Sequence, residues 1–126
     1  MESCHHNKMN NRQFRILLDK QFINVTKQTM VTVEVDNSIV AGCLVFEAGN
    51  IMIMGSLYTM LKERNKGYAQ QVMDKVKDLL HNSNKEILIA TVETGSFVEK
   101  FDLKNGYKIV DHYDDESVII MNKREV

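Results

Sequence analysis

A chain of 126 residues and 14.5 kDa has room for one domain, because a second core would have too little to bury. Hydrophobic residues make up 44% and charged residues 26%, near the globular average, which excludes a disordered chain and a membrane span. With 16 basic and 17 acidic residues the net charge is -1, so nothing electrostatic draws the protein to nucleic acid or to an anionic membrane.

The two cysteines, Cys4 and Cys43, are too few for a disulfide framework and fit a reducing compartment. The opening Met1-Glu2-Ser3-Cys4-His5-His6 lacks the apolar core of a signal peptide, so a cytoplasmic location is expected. Cys4, His5 and His6 are zinc-ligand types standing close together, but a closed site wants four ligands, so residues 1–10 read as a solvated tail and no metal is expected.

From Asn11 to Val25, Phe14, Leu17, Leu18 and Phe22 fall at spacings of three and four, which predicts a helix. Thr29 to Val35 is rich in β-branched residues, and Asp36-Asn37-Ser38 is turn chemistry leading into Ile39 to Phe46, so the pair reads as a hairpin. Glu47-Ala48-Gly49-Asn50 reverses the chain again into a strand from Ile51 to Met60, completing a meander. Its methionines, Met52 and Met54, suit a core or an interface equally. From Tyr68 to Leu80 the residues Ala69, Val72, Met73, Val76, Leu79 and Leu80 trace one helical face.

Glu86 to Val92 holds a continuous apolar run of the kind found in strands buried on both faces, and strand, helix, strand implies a parallel crossover. Ser96 and Glu99 are spaced as a capping box for a short helix on which Phe97 and Phe101 face one way, and Asn105-Gly106 stops it. Tyr107 to His112 and Ser117 to Asn122 close the chain as two strands around Asp114-Asp115-Glu116.

The chemistry concentrates between the third strand and the long helix. Gly67, next to small residues at a helix start, lets backbone N–H groups approach an anion where the positive end of the helix favours phosphate. The segment has neither the lysine-hydroxyl ending of a Walker loop nor the three-glycine spacing of a dinucleotide fingerprint. Carboxylates suited to take a proton are Glu34, Glu47 and Glu93, with Glu93 favoured because the carboxyl end of a parallel strand is where crevice chemistry lies in open sheets. Asp102, Tyr58 and Tyr107 are candidates to deliver one.

Arg64, Gly67 and Ala69 match the acetyl-CoA signature of the GNAT superfamily of N-acetyltransferases: Arg or Gln, two residues, Gly, one residue, Gly or Ala. Phe97-Val98-Glu99-Lys100-Phe101 and Asn105-Gly106-Tyr107 are similar to that family's common ending, and the resemblance runs from about Thr29 to Met121. It implies an α/β (α+β) fold with a mixed, mainly antiparallel central sheet flanked by helices. It further implies acetyl-CoA as cosubstrate, its pyrophosphate on the main chain of Arg64, Asn65, Lys66, Gly67, Tyr68 and Ala69, and its pantetheine along Leu57 and Thr59.

The acceptor implied is a primary amine that attacks the thioester directly. It is either an amino sugar phosphate such as glucosamine 6-phosphate, whose compact acetyltransferases share this strand order and dimerise, or a protein lysine or N-terminal amine. Gly55 and Ser56 stand where the amino sugar enzymes carry an acidic pair. The family's proton-donating tyrosine on the short helix is absent: counting back from Gly106 puts Asp102 in its place, and matching Glu99-Lys100 puts Val98 there. A non-catalytic CoA-binding module of the same fold is the alternative. The catalytic candidates are therefore Glu93, Asp102 and Tyr58, in a homodimer with no nucleic-acid or membrane partner.

Overall fold

A computed structural model describes residues 25–126. The tail expected over residues 1–10 and the helix expected from Asn11 lie outside the described residues, except that Val25 belongs to a strand. Strand β1 spans Val25–Val35, four residues longer at its start than the β-branched run that announced it. It turns through Asp36 and Asn37, both in the left-handed region (φ 51° and 67°), into β2, Ser38–Ala48. Two such residues make the tight hairpin turn whose twist matches that of its strands. Gly49 and Asn50 then lead into β3, Ile51–Thr59.

Helix α1, Tyr68–Asn82, buries Val72, Met73, Val76 and Leu80 on the face read from the sequence. Strand β4, Ile87–Glu93, follows, then helix α2, Phe97–Lys104, and the hairpin of β5, Lys108–Tyr113, with β6, Glu116–Asn122. The six strands form one sheet in the order β1-β2-β3-β4-β6-β5. Among the described residues only β3 and β4 run parallel; every other pair there is antiparallel. A mixed, mainly antiparallel sheet with helices is the fold class expected.

Both helices lie on one face of this sheet. α1 touches β1, β2 and β3, and α2 reaches α1 through Asn105, which bonds Gln70 and Lys77. The residues facing the helices are buried in alternation along parts of β1 to β4 and β6, among them Val31 and Val33, Cys43 and Val45, Met52 and Met54, Leu88 and Ala90, and Ile119 and Met121, whereas β5 is exposed from Lys108 to His112. Met52 and Met54 therefore belong to the core.

Two expectations about burial are corrected. β4 alternates, with Leu88, Ala90 and Val92 buried and Ile87, Ile89 and Thr91 only half so, because the described helices cover one face of the sheet. On α2 the aromatic pair does not point inward together: Phe97 is 81% exposed, whereas Phe101 packs against the core. The helix instead buries Glu99 and Asp102.

Candidate active site

The parallel pairing of β3 with β4 is short. It joins Ile51 to Ile87, Met52 to Leu88 and Ile53 to Ile89, and then stops. Beyond it β3 continues against β2 as far as Thr59, while β4 continues against β6 as far as Glu93. The two central strands thus splay apart toward their carboxyl ends, leaving the inner backbone edge of each without a strand partner. A bulge sharpens the divergence: between the pairs Gly42/Tyr58 and Leu44/Gly55, β3 carries one residue more than β2. An extra residue bends and twists the strand that holds it.

From the end of β3 a short turn of 3-10 helix, Leu61–Glu63, carries the chain to α1. Asn65 (φ 66°) and Gly67 (φ 83°) are both left-handed, curling the loop back so that α1 starts beside the splay. Gly67 is the N-cap, and no side chain caps the helix. The first-turn N–H groups of a helix have no acceptor within it, and the space above Gly67, where a β-carbon would sit, is open to 4 Å. Arg64 ties the loop to β3 through Nε donating to the Thr59 carbonyl oxygen at 3.4 Å. Lys66 donates to Glu63 at 2.9 Å, which holds its ammonium above the ordinary lysine range. The result is a cationic loop ending in exposed backbone donors, next to an unpaired strand edge.

α2 spans the helix-side floor of this opening. At its start Ser96 Oγ accepts the Glu99 N–H at 3.1 Å, the half of the capping box the sequence announced. Glu99 reaches back to the Gly95 N–H at 2.9 Å, one residue before the one a capping box would use, and also accepts from Ser117 Oγ. Ser117 in turn bonds Thr94 at 2.8 Å, which fixes α2 to the end of β4 and to β6.

One turn further, Asp102 is fully buried and neither carboxylate oxygen has a hydrogen-bond partner. Burial alone raises its pKa from 3.8 to about 7, because a charge in that position has lost its water and gained nothing. Two neighbours feel it. The buried Cys43 thiol is pushed up to about 12 by burial and then by Asp102, so it stays protonated and unreactive. The Tyr107 phenol is raised well above 10.0 by burial first, then by Asp102 and Cys43. Its hydroxyl donates to Met54 Sδ at 3.6 Å, immediately after the last parallel pair. Asp102, Cys43 and Tyr107 therefore gather beneath the vertex of the splay.

The other candidates occupy different places. Glu93 is exposed at the carboxyl end of β4, opposite Glu116 across the strand pair. Tyr58 lies across β2: a β-carbon on Gly42 would meet its hydroxyl at 3.2 Å and the Val31 carbonyl oxygen at 2.8 Å. Tyr58 is 44% exposed, and its ring lies over Gly42 of β2. Leu57 is half-buried against the core, and Thr59 ends the strand. Glu34 belongs to β1, opposite Ile39, and Glu47 to β2, opposite Met52, at the paired end of β3 and not at its splayed end. Sequence reasoning missed the seat that Gly42 makes for Tyr58 and the joint burial of Glu99 with Asp102. The three-residue spacing of those two acids was the available signal, masked by the aromatic pair beside them.

Among the described residues no group of three or more His, Cys, Asp or Glu side chains could hold a metal, and no helix is long and apolar enough to cross a membrane. A surface depression of about 440 Å³ lies between β1 and α1, lined in part by Met30, Lys75 and Leu79, and is not part of the splay.

Solved structures of acetyltransferases, one of them described as of the GNAT family, superpose on this chain. The PaiA N-acetyltransferase of Thermoplasma acidophilum in complex with coenzyme A does so with a TM-score of 0.71 and 13% identity, over 85% of this chain and 66% of its own. An acetyltransferase from Bacillus cereus gives 0.70 and 11%, over 94% and 93%. The ribosomal-protein-S18-alanine N-acetyltransferase from Escherichia coli gives 0.71 and 8%, over 79% and 71%. The chain has the GNAT fold. No family model and no curated protein matches it in sequence, and the similarity to the glucosamine-6-phosphate form finds no support among these neighbours.

Proposed function

We propose that this chain is an acetyl-CoA-dependent N-acetyltransferase acting on a primary amine. The observation that carries the reading is the splay beyond Ile53 and Ile89 with the uncapped start of α1 beside it. The backbone donors from Arg64 to Ala69 hold a pyrophosphate, aided by Lys62, Arg64 and Lys66, and the open edge of β3 at Leu57 to Thr59 pairs with the pantetheine amides. Acetyl-CoA held there supplies an activated thioester to the attacking amine.

Glu93, exposed at the carboxyl end of β4, takes the proton that the amine must lose. Asp102, kept protonated up to about pH 7 by burial, is the proton source that α2 offers beneath the opening. Tyr58, turned toward Gly42, is the third candidate and lines the opposite side. The acceptor is an amino sugar phosphate or a protein amine, and the neighbour named for the alanine of a ribosomal protein supports including N-terminal amines in the test. A homodimer and a cytoplasmic location belong to the same proposal, and sedimentation of the purified chain checks the first.

The second reading, a CoA-binding module without turnover, is favoured by one observation: α2, Phe97–Lys104, contains no tyrosine. Titration calorimetry with acetyl-CoA, followed by thiol release with glucosamine 6-phosphate, polyamines and peptides, separates the two. Binding with thiol release supports the enzyme, and binding with no release across a widened panel supports the module. Gly67→Asp, which sets a carboxylate among the anion donors, should weaken acetyl-CoA binding by about tenfold or more. Unchanged affinity in a folded variant would remove the proposed seat.

A further inference from the structure

We propose that Asn105 and Gln70 form a latch that positions the first turn of α1 against α2, and that both are positioning residues for coenzyme binding; this rests on the reading above. Asn105 is the C-cap of α2, and its side chain is saturated. Its Nδ2 donates to the Phe101 carbonyl oxygen at 3.0 Å and to Gln70 Oε1 at 3.1 Å. Its Oδ1 accepts from Gln70 Nε2 at 2.7 Å and from Lys77 Nζ at 3.1 Å. A primary amide offers two donor hydrogens and two acceptor lone pairs, and all four are used.

Gln70 sits three residues after Gly67, in the turn whose N–H groups face the proposed pyrophosphate. Its Nε2 also bonds Asp74 Oδ1 at 2.9 Å, which aims the amide along the helix toward Asn105. The reciprocal pair therefore joins the anion-binding end of one helix to the far end of the helix that floors the splay. The need for such a tie follows from what α2 buries. With Glu99 and Asp102 facing inward, α2 gains less from apolar contact than α1 does, so its placement relies on polar ties at its two ends. Glu99 supplies one and Asn105 the other. A side chain that is too long, or lacks either donors or acceptors, cannot reproduce the two-way bond.

Calorimetric affinity for acetyl-CoA tests the latch with wild type, Gln70→Ala, Asn105→Ala and the double variant. Each single change should weaken binding about fivefold to tenfold, and the double no more than the weaker-binding single, since both act through one contact. Exchanging the amides, Gln70→Asn with Asn105→Gln, keeps the total reach and should recover part of the loss. Amide hydrogen exchange in the first turn of α1 should quicken in Asn105→Ala without ligand, a readout independent of the coenzyme. Folded single variants that bind like wild type, or losses that simply add, would overturn the latch. A wild-type chain that binds no acetyl-CoA would overturn the coenzyme reading and this role with it, and unchanged exchange would overturn the latch by itself.

Discussion

Two helices rest on the same face of one sheet, and they are held there by opposite means. α1 sets Val72, Met73, Val76 and Leu80 into the core, and its sequence periodicity states this plainly. α2 turns Glu99 and Asp102 inward and leaves Phe97 81% exposed. Burial of apolar area is tolerant of detail, whereas a buried polar face depends on each bond being made. Glu99 makes its bonds and Asp102 makes none. The long helix thus serves as anchor, and the short one is the place where a change of charge has consequences.

The contrast can be broken by mutation. The largest effect belongs to α1: Leu80→Ala, at a fully buried site, should cost about 3 kcal/mol in denaturant unfolding. A cost under about 0.5 kcal/mol, the range of surface changes, would mean that the helix is not anchored by its apolar face.

Asp102 should respond in the opposite direction. Its pKa rises from 3.8 in the unfolded chain to about 7 in the folded one, so the folded state holds the proton across that window. Its contribution is fully present below about pH 4 and is lost as pH climbs through about 7, beyond which stability levels off. Asp102→Asn removes the charge and keeps the shape, so it should stabilise the protein at pH 8 by roughly 2 to 3 kcal/mol and flatten the fall between pH 4 and 7. Thermal melts across that range check it, and a variant that tracks wild type at every pH would show the carboxyl to be solvated or paired.

The smallest effect sharpens the comparison most. Phe97→Ser should change stability by no more than about 0.5 kcal/mol, where an inward-facing phenylalanine would cost about 3 kcal/mol or more. A large loss would restore the aromatic face that the sequence suggested for α2.

Most of the element order was legible because each signal is local. Asp36-Asn37 sets a two-residue turn through its tolerance of positive φ, and the stripe from Ala69 to Leu80 sets a helix. Ser96 capped α2 as its spacing implied, and Gly67 took a left-handed N-cap conformation that glycine adopts without strain. What escaped was set by neighbours distant in the chain. The apolar run of β4 could not say that only one of its faces would be covered by the described helices. Phe97 and Phe101 share a side of their helix, but Phe97, at its first residue, is exposed to solvent while Phe101 packs against the core. That the ring of Tyr58 lies over β2 depends on Gly42, a residue of the neighbouring strand.

By itself the sequence determined the meander, the helical anchor and the glycine at the start of α1, because periodicity and turn chemistry act over a few residues at a time. Only the tertiary structure decided where β3 and β4 part, that α2 carries its acids inward beneath that opening, and that Asn105 reaches Gln70. Each depends on strand register and helix tilt, which are settled by how the whole sheet and its helices satisfy burial and hydrogen bonding together.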